Sequence, residues 1–547
     1  MSFSSRRTFL EQSFAAAMAL APLSQLPGLA LESAAQDSHA PDRGQMPHPP
    51  VRFARELNAL ALPVFVDRLV LPERVRAGRR PVPITMREVR LPLHRDLPPA
   101  RLWTYTAGDG RRRALAESPM APVIEFQKNE PAAVEWIHLL PTSHLFAIDH
   151  SLHGAGRDVP DVRAVVHLHG GRTPARDDGY PEDWYVHGQS RICHYPICQD
   201  AAALWFHDHA MGINRLNIYA GLAGLALIRD EEEERLALPA GKYELPLILY
   251  DRMLTPEGEL LYPQSGDPDH PWVPEFVGDA LCVNGKIRPW VDVEPTLYRL
   301  RVLNAANSRF YMLNFSGNRM YQQIGSDQGL LSAPVKQTTL TLAPGERADL
   351  LVDFSESAGS RVYLQTGVQQ MLEFRVAQAA RRPQAAIPTA LRPIARLDST
   401  SAIATRVITL NEIVDRVQNP MTMLLNRKHW HEPVTETVRL NTTEIWEFVN
   451  LTEDTHPMHL HLVRFQILDR RNFDVFEYQN NRKLRYLAEP EPPAAHELGW
   501  KDVVQCPGGM ITRIVVRFEG YSGRYLYHCH ILEHEANDMM RPYDVLA

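Results

Sequence analysis

The 547-residue chain has few cysteines, no long apolar run and no strong excess of charge of either sign. Five cysteines are too few for a disulfide scaffold in a chain of this length. No stretch after the N-terminal segment reaches the roughly 18 consecutive apolar residues that a membrane helix needs, so we expect no membrane span in the mature protein. A formal net charge of −7 gives no reason to expect nucleic-acid binding.

The N-terminal segment carries the pattern of an export signal. The pair Arg6-Arg7 precedes a mildly apolar run over 14–30, which resembles a twin-arginine signal. We therefore expect residues 1–35 to be a signal peptide, with the twin-arginine export machinery as a partner and a periplasmic or extracellular destination. A basic, disordered N-terminus with a short helix is the alternative. Small residues near Ala30 and Ala34 offer more than one cleavage site.

Turn-forming residues are abundant, and they divide the chain into short strands. The 43 prolines and 30 glycines separate short alternating or β-branched runs. Three of these runs resemble one another, over 133–139, 298–304 and 445–451. Together with the length, they predict an all-β chain of three β-sandwich domains, over residues 51–235, 236–380 and 401–547. The acidic run 230–235 between the first two domains is predicted to be a solvated connector.

Histidines form four short motifs, two in the first domain and two in the third. The motifs are His167-Leu168-His169, His207-Asp208-His209, His456-Pro457-Met458-His459-Leu460-His461 and His528-Cys529-His530. Successive side chains of a strand point to opposite faces, so each His-x-His pair presents two imidazoles on one face. A single pair of this kind is more often chance than a site. Four pairs that are symmetric across two domains predict a metal cluster between those domains.

The C-terminal motif also predicts a second, mononuclear site. Cys529 points away from its two flanking histidines, and His534 and Met539 follow it closely. With His456, these residues make the His₂Cys set with a weak axial Met that is typical of blue-copper sites. The eight remaining imidazoles would surround the cluster; imidazole alone suits copper, zinc, iron or nickel, but zinc has no redox chemistry. Asp208 takes the place of Cys529 in the first domain, so no thiolate site is expected there.

Beyond single ligands, longer stretches of the chain resemble one family. VVHLHGG, GYPEDW, WFHDHAM, IGSDQGLL, HPMHLHL, GWKD and HCHILEH are similar to segments of the three-domain multicopper oxidases, above all the bacterial spore-coat laccase and bilirubin oxidase group, from about residue 55 to the end. The resemblance implies cupredoxin-like Greek-key domains and four copper ions. It assigns His456, Cys529, His534 and axial Met539 to type 1 copper, and His167 and His459 to type 2. It assigns His169, His207 and His528 to one type 3 copper, and His209, His461 and His530 to the other.

Two carboxylates also fall on positions that matter in this family. Asp178 and Glu535 resemble residues that assist proton delivery to bound oxygen. Either could instead be a hydrogen-bond partner that orients a ligand histidine.

The resemblance implies a laccase-like oxidase that takes single electrons from phenols or aromatic amines and reduces O₂ to water. A metallo-oxidase acting on Cu(I), Fe(II) or Mn(II) is the first alternative, disfavoured because no methionine-rich run precedes His456. A non-enzymatic exported copper-binding or assembly protein is the second, disfavoured because every ligand is present. The remaining cysteines do not reproduce the group's disulfide pattern. Cys193 and Cys198 could pair or stay free.

Overall fold

The computed structural model describes residues 56–110, 120–268, 270–380, 386–415 and 420–547. The predicted signal peptide, residues 1–35, lies outside these ranges. No helix in the described ranges is long and apolar enough to cross a bilayer. The described chain is built mainly of strands, which form six sheets.

The first two sheets hold strands β1 to β9. Their bounds are β1 Arg74–Arg76, β2 Val82–Leu91, β3 Ala100–Ala107, β4 Val123–Gln127, β5 Ala132–Leu139, β6 Val166–His169, β7 Ser190–Tyr195, β8 Ala202–Asp208 and β9 Ala223–Arg229, with helix α1 (Asn214–Ala220) before β9. One sheet has the order β1-β4-β9-β8-β6 and the other the order β3-β2-β5-β7. Aromatic side chains fill the space between them: the ring of Trp136 lies 5.5 Å from Tyr105 and 5.1 Å from Phe206.

The next two sheets hold strands β10 to β22, which follow the short helix α2 (Glu231–Arg235). Their bounds are β10 Glu244–Leu254, β11 Leu260–Leu261, β12 Ala280–Val283, β13 Lys286–Ile287, β14 Trp290–Val293, β15 Leu297–Asn304, β16 Tyr311–Phe315, β17 Tyr321–Ser326, β18 Gly329–Gln337, β19 Thr339–Leu342, β20 Arg347–Asp353, β21 Arg361–Thr366 and β22 Gln369–Val376. The larger sheet has the order β13-β12-β10-β15-β20-β17-β18, with β11 on β10, and the smaller one β14-β22-β21-β16-β19.

The last two sheets hold strands β23 to β32. Their bounds are β23 Ala404–Val414, β24 Pro420–Leu425, β25 Glu436–Arg439, β26 Thr442–Asn450, β27 His456–Leu460, β28 Phe465–Asn472, β29 Val503–Cys506, β30 Met510–Phe518, β31 Gly523–Cys529 and β32 Met540–Leu546, with helices α3 (Val475–Asn481) and α4 (Leu532–Ala536). The sheet orders are β24-β23-β26-β30-β28 and β25-β32-β31-β27-β29.

The three similar sequence runs occupy equivalent places in the three pairs of sheets. They lie in β5, β15 and β26. Each of these strands pairs in parallel with an earlier strand (β2, β10 and β23) and antiparallel with a later one (β7, β20 and β30). The predicted repeat is therefore confirmed as a repeated pattern of strand pairing. The predicted domain boundaries remain a proposal.

The acidic run after β9 is only in part the solvated connector that we predicted: Asp230 and Glu233 are buried, and the other four residues are exposed. The carboxylate of Asp230 caps α2 by accepting a hydrogen bond from the backbone N–H of Glu233 at 2.8 Å. Glu233 is buried, and its Oε1 accepts hydrogen bonds from Arg299 and Arg301, both at 2.6 Å. The prediction failed at Glu233 because these two arginines lie on β15 in the buried centre of a sheet and need partner carboxylates.

All five cysteines are free thiols. Cys198 is exposed, whereas Cys193, Cys282, Cys506 and Cys529 are buried. The pairing of Cys193 with Cys198 is therefore absent from the structure.

Candidate metal centres

Matching strand pairs carry the histidine motifs in the first and third sandwiches. In the first, β6 lies antiparallel to β8, and His167 is opposite His207. In the third, β27 lies antiparallel to β31, and His459 is opposite His528. Strand register alone thus brings two motifs together within each sandwich, independently of the contact between the sandwiches.

Eight imidazoles from the two sandwiches converge into one buried cluster. Two stacked pairs cross the interface: the rings of His167 and His461 lie 3.8 Å apart, and those of His169 and His459 lie 3.7 Å apart. Three sets have ligand atoms within 4.8 Å of one another: His167, His459 and His461; His169, His207 and His530; and His209, His461 and His528. Every member is at most 1% exposed.

The two histidines beside Cys529 exchange the places that the resemblance gave them. His530 joins His169 and His207, whereas His528 joins His209 and His461. The Nε2 atom of His528 lies 3.4 Å from that of His209 and 3.2 Å from that of His461. Strand β31 ends at Cys529, so His530 lies where the chain turns towards α4 and reaches a different set from His528.

The scaffold holds one ring nitrogen of most cluster histidines and leaves the other free. Nδ1 contacts a backbone carbonyl oxygen in His167 (Asp178, 2.6 Å) and in His459 (Asp502, 2.7 Å). The Nε2 atoms of His167, His207 and His459 are buried and have no hydrogen-bond partner among the described residues. Buried polar atoms are normally satisfied, so converging orphan nitrogens fit metal ions at this place.

Burial also keeps the cluster histidines in the form that binds metal. It lowers the pKa of His209 to about 4 and that of His530 to about 3. Their rings are therefore neutral near pH 7, with a lone pair available for coordination. The same neutral state avoids repulsion within a crowded group of imidazoles.

A second site lies on the other side of Cys529. Its Sγ is 3.6 Å from Nδ1 of His456 and 3.7 Å from Nδ1 of His534, and the two nitrogens are 3.2 Å apart. This triangle fits one ion bound at about 2.0–2.3 Å from each atom. Met539 is fully buried next to it, and its backbone oxygen accepts a hydrogen bond from the N–H of Cys529 at 3.0 Å.

The two imidazoles of this mononuclear site differ at their outer nitrogens. Nε2 of His456 contacts the hydroxyl of Thr452 at 2.8 Å. Nε2 of His534 is buried and has no partner among the described residues. Burial raises the pKa of the Cys529 thiol well above its usual value, so a bound cation is needed to stabilise the thiolate.

Both predicted carboxylates contact the cluster. Asp178 Oδ2 lies 2.7 Å from Nδ1 of His461, and burial raises the pKa of Asp178 to about 8. Glu535 Oε1 accepts a hydrogen bond from Asn214 at 2.6 Å, and Glu535 Oε2 lies 3.3 Å from Nδ1 of His528. Asp178 therefore holds a proton at neutral pH beside a cluster histidine.

Sequence reasoning missed a carboxylate that ties the middle sandwich to the cluster. Asp502 Oδ1 lies 3.0 Å from Nε2 of His169, and the guanidinium of Arg347 donates to both Asp502 oxygens at 2.7 and 2.5 Å. Arg347 begins β20 in the middle sandwich, and all three side chains are buried. The GWKD motif contains Asp502, but only the fold shows that it meets His169 and Arg347.

Comparisons with known proteins agree with this geometry. Family models described as multicopper oxidase match residues 160–233 and 402–547. The chain is 40% identical over 515 residues to a laccase of Bacillus stratosphericus, covering 88% of this chain and 99% of that protein. It is 33% identical over 518 residues to multicopper oxidase LPR1 of Arabidopsis thaliana, covering 85% of this chain and 88% of that protein.

A solved structure extends the likeness to the fold. The McoA multicopper oxidase of Aquifex aeolicus matches with a TM-score of 0.72 at 27% identity, over 88% of this chain and 99% of that one. The predicted all-β fold of three cupredoxin-like sandwiches is thereby confirmed. Sequence, fold and buried ligand sets agree: the chain belongs to the multicopper oxidase family.

Proposed function

We propose that this protein is a laccase-like oxidase that removes single electrons from small aromatic reductants and reduces O₂ to water. The observation that carries the proposal is the tripeptide His528-Cys529-His530. It places a ligand of the mononuclear set between two ligands of the buried cluster. The two sites are thus covalently joined, because Cys529 is directly bonded through the backbone to His528 on one side and to His530 on the other.

The donor sets fit the four copper ions that the family uses. His456, Cys529 and His534 would hold one ion, with Met539 as a weak axial ligand. The eight cluster histidines would hold three, with His167 and His459 at the type 2 position. When bound, copper supplies one-electron redox chemistry and the capacity to bind oxygen.

Both imidazoles of the mononuclear site are buried, and the outer nitrogen of His534 has no hydrogen-bond partner among the described residues, so we take that ring as the side through which a reductant gives its electron. The matching nitrogen of His456 is already in contact with Thr452. An imidazole edge needs no covalent chemistry with the reductant, so a range of phenols and aromatic amines can serve.

The two carboxylates are placed to manage protons at the cluster. Asp178 can give a proton, because burial raises the pKa of its carboxyl group to about 8. Burial by itself would raise the pKa of Glu535, but the imidazoles of His528 and His209 outweigh it and lower that pKa. Glu535 is therefore a charged acceptor that can take a proton and pass it on.

Oxygen consumption tests the proposal. Copper-loaded protein should consume O₂ with a phenol and with an aromatic amine, without accumulating hydrogen peroxide. Bilirubin and Cu(I) are compared under matched conditions. Consumption confined to Cu(I) would show that the protein is a metallo-oxidase.

Export is a separate part of the proposal. It rests on Arg6-Arg7 and the apolar run behind them. Periplasmic and cytoplasmic fractions of cells producing the full chain provide the test. The double change Arg6→Lys and Arg7→Lys should retain the protein in the cytoplasm, and an unchanged distribution would contradict export by this route.

A further inference from the structure

A cavity of about 210 Å³ lies outside the metal sites. It is bounded by residues 145–149, by helix α1 and by the chain that follows β11. Ala147 and Gln264 on its wall are exposed, so the cavity reaches the surface. None of the candidate copper ligands lines it.

One wall of the cavity carries an arginine that forms no close ion pair with a carboxylate of the described residues. Arg215 is only 3% exposed, and its Nε has no hydrogen-bond partner among the described residues. Its guanidinium lies 5.1 Å from the centre of the Tyr262 ring, and its charge acts on the Tyr262 hydroxyl and on the Glu533 carboxylate, but no carboxylate in the described ranges forms a close ion pair with it. A buried guanidinium without a close hydrogen-bonded anion is costly, so the unsatisfied Nε favours an anion in the cavity.

Other buried arginines donate to carboxylates or, as Arg163 and Arg541 do, to backbone carbonyl oxygens. Arg299 donates to Asp349 at 2.5 Å, and Arg301 donates to the same carboxylate at 2.9 Å. Arg347 contacts Asp502 at 2.5 Å. Arg299, Arg301 and Arg347 have carboxylates supplied by the protein, whereas the Nε of Arg215 has no acceptor and is placed to receive a carboxylate from a ligand.

The acidic residue of the cavity wall is already committed to the protein. Asp149 Oδ1 accepts hydrogen bonds from the N–H of Ser151 at 2.9 Å and from its hydroxyl at 2.6 Å. Asp149 Oδ2 accepts one from the N–H of Trp272 at 2.9 Å. Its charge remains near the cavity and opposes a ligand with two negative charges. The preferred ligand is therefore a monoanion.

The remaining walls are suited to a flat apolar group. The rings of Phe146 and Tyr262 lie 5.6 Å apart at an angle of 42°, and Leu261 and Pro271 also line the cavity. The volume is below the roughly 300–1,000 Å³ of pockets for drug-sized molecules, so one ring and its substituent are the natural size. We propose that this cavity binds a small aromatic monocarboxylate, with its carboxylate on Arg215 and its ring against Phe146 and Tyr262.

The site would lie one hydrogen bond from the metal-binding segment. The hydroxyl of Tyr262 donates to Glu533 Oε1 at 2.6 Å, and Glu533 directly precedes His534. Asn307 and Ser308 hold the same carboxylate, each at 2.8 Å. A ligand that packs on Tyr262 therefore contacts the residue that is hydrogen-bonded to Glu533, and Glu533 is the sequence neighbour of the candidate ligand His534.

Isothermal titration of the copper-loaded protein with benzoate tests the proposal. Benzoate is redox-inert under these conditions, so binding is measured apart from oxidase activity. We expect one benzoate per chain, with benzamide and acetate each at least about tenfold weaker because a charge-assisted contact or the ring is lost. Absence of benzoate binding, or equal affinity for benzoate and either analogue, would overturn the assignment.

Variants locate the binding. Arg215→Gln should weaken benzoate at least about tenfold and leave benzamide almost unchanged. The matched control is Arg252→Gln, since Arg252 is also buried and stacks on tyrosine rings but does not line this cavity. If Arg215→Gln does not fold, Leu261→Trp replaces it, because the larger side chain fills the cavity and should abolish binding. If whichever of these two variants folds still binds benzoate with wild-type affinity, benzoate binds elsewhere and the proposed site is refuted.

Discussion

The tripeptides His207-Asp208-His209 and His528-Cys529-His530 follow the same geometry with different central residues. Both flank the cluster with two imidazoles. Asp208 accepts hydrogen bonds from the N–H groups of Val165 at 3.0 Å and Ala210 at 3.1 Å, and from Asn217 at 2.7 Å. Cys529 instead directs its sulfur to two histidines. The central residue therefore stabilises loops in one half and completes a metal site in the other.

Cys529→Ser should have the largest effect, because it removes the thiolate that distinguishes the two halves. We expect loss of the intense blue thiolate-to-copper absorption and a fall in oxidase rate of more than about 100-fold. This fall is larger than the loss of activity that usually follows removal of a residue hydrogen-bonded to a metal ligand. Visible spectra and copper content measure this. Cys282→Ser, which alters a buried thiol in the middle sandwich, is the control and should stay blue. A blue Cys529→Ser protein would refute the assignment.

Removing copper should destabilise the contact between the two halves. The orphan nitrogens come from both sandwiches, so bound ions connect them. Ligand present at 1,000 times its dissociation constant stabilises a folded protein by about 4 kcal/mol for each site, and this amount is lost on chelation. Calorimetry before and after chelation gives the change, with copper addition as the reversal control. An unchanged melting temperature would show that the halves associate without the ions.

Arg347→Met should show that the middle sandwich contributes to the cluster although it supplies no candidate ligand. The substitution leaves Asp502 buried without its cation, which costs about 3 kcal/mol or more in unfolding free energy. Loosening the partner of His169 should also weaken cluster copper by about tenfold or more. Chemical denaturation and copper competition measure the two effects. Exposed Arg68, paired with Asp292 on the surface, provides the control Arg68→Met. Normal copper affinity in Arg347→Met would show that the Arg347–Asp502 pair stabilises the fold but does not affect copper binding.

Asp208→Ala tests the other half of the comparison. Three donors lose their acceptor, and we expect about 2–3 kcal/mol less stability, because buried unsatisfied donors are costly. The blue absorption should remain, since the sulfur site lies in the third sandwich. Denaturation and visible spectra check both statements. A colourless protein would show that Asp208 also supports the mononuclear site.

The local sequence pattern was enough to predict which residues are candidate ligands, but not how the cluster histidines divide into sets. Alternation along β6 and β27 places paired histidines on one face, and the spacing after Cys529 identifies His534 and Met539. The exchange of His528 and His530 depends on where β31 ends and the chain turns. The contact of Asp502 with Arg347 depends on three sandwiches meeting. Neither property is encoded in a short window of sequence.

The smallest effect is expected within the mononuclear site itself, at the hydroxyl of Thr452. Thr452→Val keeps the shape of the side chain but leaves Nε2 of His456 without its partner, as Nε2 of His534 already is. Loss of one such contact costs about 1 kcal/mol, which corresponds to roughly a fivefold weaker hold on copper. Competition titration at the blue band measures it, and Thr400→Val on an exposed turn is the control. If affinity is unchanged while reductant oxidation accelerates, the hydroxyl serves to close the His456 edge, and the two histidines differ in access rather than in binding strength.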